Sequence, residues 1–178
     1  MKRPAVWAAA GIAVVLALLV VVLATRKPAT DRVASSPLLG KAAPEVQGAT
    51  IDGKSFDLAD QRGRWVLVNF LASWCGPCQR EHDDLIQFAD AHAATNDVTV
   101  VSVVFQDDLT AVRQFFASRG GDWPVVRDDS GRVAVAWGVP QVPETYLVSP
   151  NGRVAVKFIG EVTYDGLERQ LDRLRSGA

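Results

Sequence analysis

The chain has 178 residues, of which 48% are hydrophobic and 22% are charged, and its net charge is −1. This composition excludes a chain that is disordered throughout, and the length fits a single domain with a short extension. The balanced charge argues against a nucleic-acid-binding protein. Two cysteines are too few for a multi-disulfide scaffold or a four-cysteine zinc site.

The first 32 residues differ in charge from the rest of the chain. They contain five basic residues and one acidic residue, whereas the chain from Val33 contains fourteen basic and nineteen acidic residues. The N-terminal piece therefore has a net charge of +4 and the remainder a net charge of −5. This division predicts a basic, membrane-proximal segment joined to an acidic soluble part.

Residues 5–24 form an apolar run without charge or proline. As a helix they span about 30 Å, the thickness of the hydrocarbon layer of a bilayer. We therefore expect one transmembrane helix acting as a signal-anchor, preceded by residues 1–4. A cleaved signal peptide is the alternative, because Val22 and Ala24 provide a small-residue cleavage site. The flanking basic residues are divided between both ends and give little information on orientation.

Residues 25–40, rich in Pro, Ser, Thr and Ala, are predicted to be a flexible tether, and residues 41–178 a compact soluble domain. The domain opens with a β-hairpin signal at 45–57, around Asp52 and Gly53. A strand, a helix and a second strand are predicted next. Two continuous apolar runs of strand length flank a segment whose apolar residues recur at helical spacing. These elements cover residues 65–71, 78–94 and 98–105.

The second half of the domain continues with a helix that Gly120 ends. A short strand, a short helical piece, a hairpin around Asn151 and Gly152, and a closing helix come next. The expected positions are 124–127, 130–137, 144–149 with 153–159, and 165–175. The order of elements predicts an α/β sandwich of three layers with an N-terminal β-hairpin extension.

Both cysteines lie in the segment Trp74–Cys78, between a buried strand and a helix. Their spacing of three allows one helical turn to bring the sulfurs into bonding reach. Cys75 at the helix N-terminus is favoured as a thiolate, and therefore as the residue that attacks a disulfide. Cys78, one turn further and expected to be more buried, resolves the mixed disulfide. Pro77 suits the first turn of the helix.

A purely structural disulfide is the first alternative, but closing so short a loop stabilises a fold little. A metal site is the second alternative. His82 could join the cysteines there, but a fourth ligand is lacking unless a carboxylate serves. We therefore predict redox chemistry, with the Cys75–Cys78 disulfide in place of a cofactor and no metal. His82 and His92 are interpreted as surface or packing residues.

At residues 68–78 (VNFLASWCGPC) the sequence resembles the thioredoxin superfamily, and the resemblance covers about residues 41–175. A second matching segment runs from Gly138 to Thr145. The resemblance implies a thioredoxin-like fold and a cis peptide bond between Val142 and Pro143, opposite the cysteines. An extended substrate segment would pair with the backbone there. Trp74 and Gly76 would border the same site.

Four features narrow the resemblance: the single anchor, the N-terminal hairpin, the segment Pro143-Glu144-Thr145, and the segment Arg80-Glu81-His82 just after the cysteines. In these features the chain is similar to membrane-anchored, extracytoplasmic redoxins of cytochrome c maturation and their general thiol-reductase relatives. In that group acidic residues near the cysteines moderate their reactivity, which implies this role for Glu81 and Glu144. For Glu81 a solvated helix face is the alternative. Two positions depart from the patterns: Asn69 stands where cytoplasmic thioredoxins have a buried acid, and Gln141 stands where the maturation group has glycine.

The resemblance implies a monomeric thiol:disulfide oxidoreductase on the periplasmic or outer face of the cytoplasmic membrane. It would reduce substrate disulfides such as those of apocytochrome c and receive electrons from a transmembrane thiol-transfer protein. A general-purpose envelope thiol reductase is one alternative. A peroxiredoxin-like antioxidant is another, although the residues before Cys75 lack the peroxidase motif. A membrane-tethered binding module with a structural cysteine pair is the third.

Overall fold

The computed structural model describes residues 11–21 and 31–177. Residues 11–21 lie in a helix, α1, whose side chains are exposed. Within these two ranges no helix is long and apolar enough to span a membrane. The predicted anchor at 5–24 lies partly outside the described residues, as does the first part of the predicted tether.

A six-stranded mixed sheet forms the centre of the domain. Its strands are β1 (Arg32–Val33), β4 (Trp65–Leu71), β5 (Val98–Val104), β6 (Val125–Val126), β7 (Glu144–Val148) and β8 (Val154–Ile159). The strand order is β1-β8-β7-β4-β5-β6. Strands β4, β5 and β6 are parallel, whereas β7, β8 and β1 join through antiparallel pairs. The predicted N-terminal hairpin is β2 (Gln47–Ala49) with β3 (Ser55–Asp57). A 3₁₀ helix, Leu58–Gln61, follows it.

Helices cover the sheet on both sides: α2 (Gly76–Ala93), α3 (Leu109–Arg119), α4 (Arg132–Trp137) and α5 (Tyr164–Ser176). Helices α2 and α5 pack on one face, through a cluster that contains Leu85, Phe88 and Leu171. The hairpin and α4 pack on the opposite face, where Phe56 and Trp137 are buried. Alternate residues of each central strand point to opposite faces, so both faces are covered by apolar side chains. The three-layer α/β sandwich is therefore confirmed.

The folded domain begins earlier than the sequence predicted. Strand β1 pairs with β8 and forms one edge of the sheet. Leu39 and Ala42 also form bridges to the start of β8. From Asp31 onward the predicted tether is thus attached to the domain. A strand of two residues has no period that a sequence can display, which is why the pattern did not reveal it.

Candidate active site

The two cysteines form a disulfide at the N-terminus of α2. Cys75 is the N-cap of the helix, and its sulfur accepts a hydrogen bond from the Cys78 backbone N–H at 3.1 Å. Pro77 lies in the first turn, where a missing N–H costs nothing. The unpaired N–H groups and the helix dipole at this end favour a thiolate on Cys75 once the disulfide is reduced.

Both cysteines are buried in the disulfide form, with exposures of 4% for Cys75 and 3% for Cys78. The expected difference in burial between them is therefore absent. The disulfide holds both side chains in one apolar cluster with Leu71, Val104 and Val112. The two cysteines therefore have similar exposed fractions, because the covalent bond keeps both sulfurs in the same buried position.

Trp74 borders the site from the solvent side. Its side chain is 60% exposed, and its indole N–H donates to the Gln106 carbonyl at 3.2 Å. Gly76 is exposed and Pro77 is half-buried. These three residues lie next to the cysteines in the chain and are at least partly accessible to solvent.

The Val142–Pro143 peptide is cis, as the resemblance implied. Val142 packs against the cluster that contains both cysteines, so this loop lies beside the disulfide. The Pro143 carbonyl accepts a hydrogen bond from the Gly160 N–H at 3.0 Å. The loop is thereby fixed to the connection between β8 and α5.

Glu81 lies one helical turn after Cys78 and is 1% exposed. The alternative of a solvated helix face is therefore wrong. One carboxyl oxygen accepts from the Asn69 amide at 2.9 Å, and the other accepts from the Val162 backbone N–H at 3.0 Å. Burial raises the pKa of Glu81 to about 8, although both hydrogen bonds oppose the shift. Its proton can thus be exchanged near neutral pH.

Glu144 is also 1% exposed, but its side chain lies on the other face of the sheet. Its carboxylate is 2.9 Å from the Lys157 ammonium and accepts a hydrogen bond from the Tyr146 hydroxyl at 3.0 Å. Burial, with the Glu144 charge, raises the pKa of Tyr146. The structure therefore does not bring Glu81 and Glu144 together.

Neither histidine joins the cysteine site. His82 contacts the Gly120 carbonyl at 2.9 Å and the rings of Phe115 and Phe116, and burial lowers its pKa. His92 lies between Asp97 and Glu168. Both side chains are buried, so of the two expected roles packing is confirmed and a surface position is wrong. Across 11–21 and 31–177, no group of three or more His, Cys, Asp or Glu residues is arranged to hold a metal ion.

Sequence reasoning missed three contributors to this site. Thr145 contacts the Asn69 amide at 3.0 Å, and Val162 donates to Glu81 through its backbone. Lys157 pairs with Glu144, and a lysine inside the apolar run of β8 is a signal that could have indicated a buried partner. A backbone donor such as Val162 leaves no trace in the sequence.

Comparisons with known proteins agree with this geometry. The model of the family described as Redoxin matches residues 38–172. The thiol:disulfide interchange protein HelX of Rhodobacter capsulatus is 34% identical over 145 residues, covering 79% of this chain and 78% of that protein. The thiol-disulfide oxidoreductase ResA of Bacillus subtilis is 30% identical over 138 residues, covering 78% and 76%.

Two solved structures extend the comparison. DsbF of Mycobacterium tuberculosis is 30% identical, with a TM-score of 0.66 over 72% of this chain and 94% of that one. A thiol:disulfide interchange protein of Chlorobium tepidum is 25% identical, with a TM-score of 0.69 over 79% and 98%. With its thioredoxin-like fold and its disulfide at a helix N-terminus, the chain belongs to the redoxin family and is a thiol:disulfide oxidoreductase.

Proposed function

We propose that the protein reduces disulfides of exported protein substrates, with Cys75 as the attacking residue and Cys78 as the resolving residue. The observation that carries this proposal is the Cys75–Cys78 disulfide at the N-terminus of α2, packed beside the cis-proline loop. Cys75 is the N-cap, where the helix dipole stabilises a thiolate. Cys78 lies within the first turn and reaches the Cys75 sulfur.

The reaction consists of two exchanges. The Cys75 thiolate of the reduced protein attacks one sulfur of a substrate disulfide, forms a mixed disulfide and expels the other sulfur as a thiolate. Cys78 then loses its proton and attacks the Cys75 sulfur, which releases the second substrate thiolate. The substrate gains two electrons, and the protein is left with the Cys75–Cys78 disulfide. A dithiol donor must then reduce that disulfide.

Glu81 is the proposed acceptor of the Cys78 proton. It lies on the same face of α2 as Cys78, one turn away. Its pKa of about 8 lies close to that of a thiol, so a proton can pass between the two groups at little cost. This assigns to Glu81 the role that the amide of Asn69 cannot fill.

The residues between the cysteines support this direction of electron flow. A Gly-Pro pair is of the thioredoxin type, for which the reduction potential is about −270 mV. We expect a potential in this range, measured by equilibration with glutathione or dithiothreitol buffers. A potential of about −120 mV, typical of a strong oxidant, would reject the reductant and favour an oxidase.

The proposed location is the extracytoplasmic face of the cytoplasmic membrane, with the apolar run at 5–24 as the anchor. Residues 11–21 support this, because they are helical and carry uncovered apolar side chains such as Ile12, Leu16 and Leu19. An exported compartment is oxidising, so a reductant there needs a membrane partner that supplies electrons. We propose a transmembrane thiol-transfer protein in that role.

The proposed substrate is the cysteine pair of an apocytochrome c. The test is a trapping experiment on the full chain. Cys78→Ser should leave the mixed disulfide on Cys75 unresolved, so that its partner can be identified by mass. Cys75→Ser is the matched control and should trap nothing. Recovery of an apocytochrome supports this substrate, whereas a broad set of exported proteins supports a general-purpose reductase. If neither is trapped, substrate reduction through Cys75 is wrong.

A further inference from the structure

The connection between β8 and α5, residues 160–163, is hydrogen-bonded to three separate parts of the molecule: the N-terminal segment, helix α2 and the cis-proline loop. We name it the 160–163 loop. Each of its residues makes a hydrogen bond to one of these parts, and Tyr164, the first residue of α5, also bonds to α2. The bonds join Gly160 N–H to the Pro143 carbonyl, Glu161 to Asp31 and Arg80, Val162 N–H to Glu81, Thr163 to Asp31, and Tyr164 N–H to Asp84.

Asp31 closes this loop from the outside. Its backbone N–H donates to the Glu161 carbonyl at 2.9 Å. Its carboxylate accepts from both the backbone N–H and the hydroxyl of Thr163, each at 2.7 Å. The same hydroxyl caps α5 by accepting from the Gly166 N–H at 3.1 Å. Asp31 therefore fixes the residues on both sides of Val162.

Val162 is the loop residue that is hydrogen-bonded to Glu81. Its side chain is 1% exposed, and its N–H is one of the two donors to the Glu81 carboxyl group. The loop also holds the cis-proline through Gly160 and the cysteine helix through Arg80. A displacement of residues 161–163 would thus first weaken the hydrogen bond to Glu81.

We propose that Asp31 is a positioning residue of the redox site: by clamping Glu161 and Thr163, it holds the Val162 N–H against Glu81. This inference deepens the proposed function, because it rests on Glu81 as the group that exchanges the Cys78 proton. The segment that enters the domain from the predicted membrane side thereby sets the proton affinity of the site.

The expected effect has a definite sign. The Val162 N–H stabilises the charged form of Glu81 and lowers its pKa. Asp84 and Glu161 act in the opposite direction, since their charges raise it, and Arg80 pairs with Glu161. Loss of one hydrogen bond to a carboxylate corresponds to a shift of about one pH unit. Releasing the clamp should therefore raise the pKa of Glu81 further.

Gly166 offers a second way to release the clamp. A Cβ at this position would overlap the Asp31 carboxyl group, and Gly166 lies in α5 rather than in the loop. Gly166 lies in the first turn of α5, and its N–H donates to the N-cap hydroxyl of Thr163. Alanine keeps this N–H and is a better helix former than glycine. Gly166→Ala should thus expel the Asp31 side chain without weakening the helix itself.

The test is a pH titration of the Glu81 carboxyl carbon by NMR, on the oxidised full chain in detergent micelles. The chain has five glutamates, and Glu81→Gln identifies the resonance. We expect Asp31→Ala and Gly166→Ala each to raise the Glu81 titration midpoint by about one pH unit. The double variant should show no larger shift than Asp31→Ala alone. Asp31→Asn should shift it less, because asparagine keeps one acceptor and tolerates the φ of 53° at this position.

Asp57→Ala is the matched control, because Asp57 also accepts from a backbone N–H, at the 3₁₀ helix on the other side of the sheet. It should leave the Glu81 midpoint unchanged. An unchanged midpoint in both Asp31→Ala and Gly166→Ala overturns the proposal, and so does an equal shift in Asp57→Ala. Failure of the proposed proton transfer is seen separately, as a wild-type rate of mixed-disulfide resolution in Glu81→Gln.

Discussion

Glu81 and Glu144 are buried to the same extent, with exposures of 1% each, yet they lie on opposite faces of the sheet and have different partners. Glu81 accepts hydrogen bonds from two neutral groups, the Asn69 amide and the Val162 N–H. Glu144 has the ammonium of Lys157 and the hydroxyl of Tyr146. A buried carboxyl group that is bonded only by neutral donors keeps an exchangeable proton. A buried carboxylate that is paired with a cation instead serves as a structural ion pair of the fold.

The largest effect should come from removing the cation beside Glu144. Lys157→Met leaves a buried carboxylate without its partner and should reduce the free energy of unfolding by roughly 3–5 kcal/mol. Urea unfolding at neutral pH measures this. Lys54→Met is the control, because Lys54 is exposed and pairs with Asp52 at the surface. A loss as small as that of the control would mean that the Glu144–Lys157 pair does not stabilise the fold.

The second effect concerns the pH dependence of stability, which should arise at Glu81. The folded-state pKa of about 8 lies above the ordinary value of 4.5, so the stability linked to the proton is complete at acidic pH. It is lost as the pH rises towards 8. Between about pH 5 and 7.5 the wild type should lose roughly 3 kcal/mol relative to Glu81→Gln.

Parallel urea titrations at several pH values measure that difference. Glu45→Gln, at an exposed position, controls for the loss of one carboxyl group. If the wild type and Glu81→Gln lose stability in parallel across this range, Glu81 does not hold a proton near neutral pH, and the contrast with Glu144 disappears.

The elements around the cysteines could be predicted from sequence, because each has a local cause. Strand β4 is a continuous apolar run with the predicted bounds, and the cysteine pair defines the start of α2. The cis-proline followed from the resemblance. All of these signals lie within a few residues of the feature that they predict.

The surroundings of the two acids could not be predicted in the same way. Every residue of β7 is buried, so alternation of polar and apolar residues could not show which face Glu144 occupies. The Glu81 site depends on Val162, 81 residues away, and on a backbone donor. Contacts over such separations, made by groups that every residue carries, become visible only in three dimensions.

The third effect is kinetic and should separate the acids by function. Glu81→Gln removes the proposed acceptor of the Cys78 proton and should slow the resolving step by roughly tenfold to a hundredfold at neutral pH. In stopped-flow reactions with an aromatic disulfide reagent, the second thiolate release reports this step. Its rate should rise with pH in the wild type as Glu81 ionises, and Glu144→Gln should keep that profile. If the pH profile of the resolving step changed in Glu144→Gln but not in Glu81→Gln, Glu144 rather than Glu81 would be the acceptor of the Cys78 proton.

The smallest effect should come from the neutral partner of Glu144. Tyr146→Phe removes the hydroxyl that donates to the carboxylate and also contacts the Trp137 carbonyl at 3.0 Å, while the Lys157 ammonium stays in place. One hydrogen bond to a charged group is worth about 1.5–3 kcal/mol. Because the ammonium still neutralises the carboxylate, we expect the free energy of unfolding to fall by about 1 kcal/mol in urea unfolding, with the pH profile of the resolving step unchanged. A loss as large as that of Lys157→Met would show that the hydroxyl, rather than the cation, keeps Glu144 buried, and the two acids would then differ less than their partners indicate.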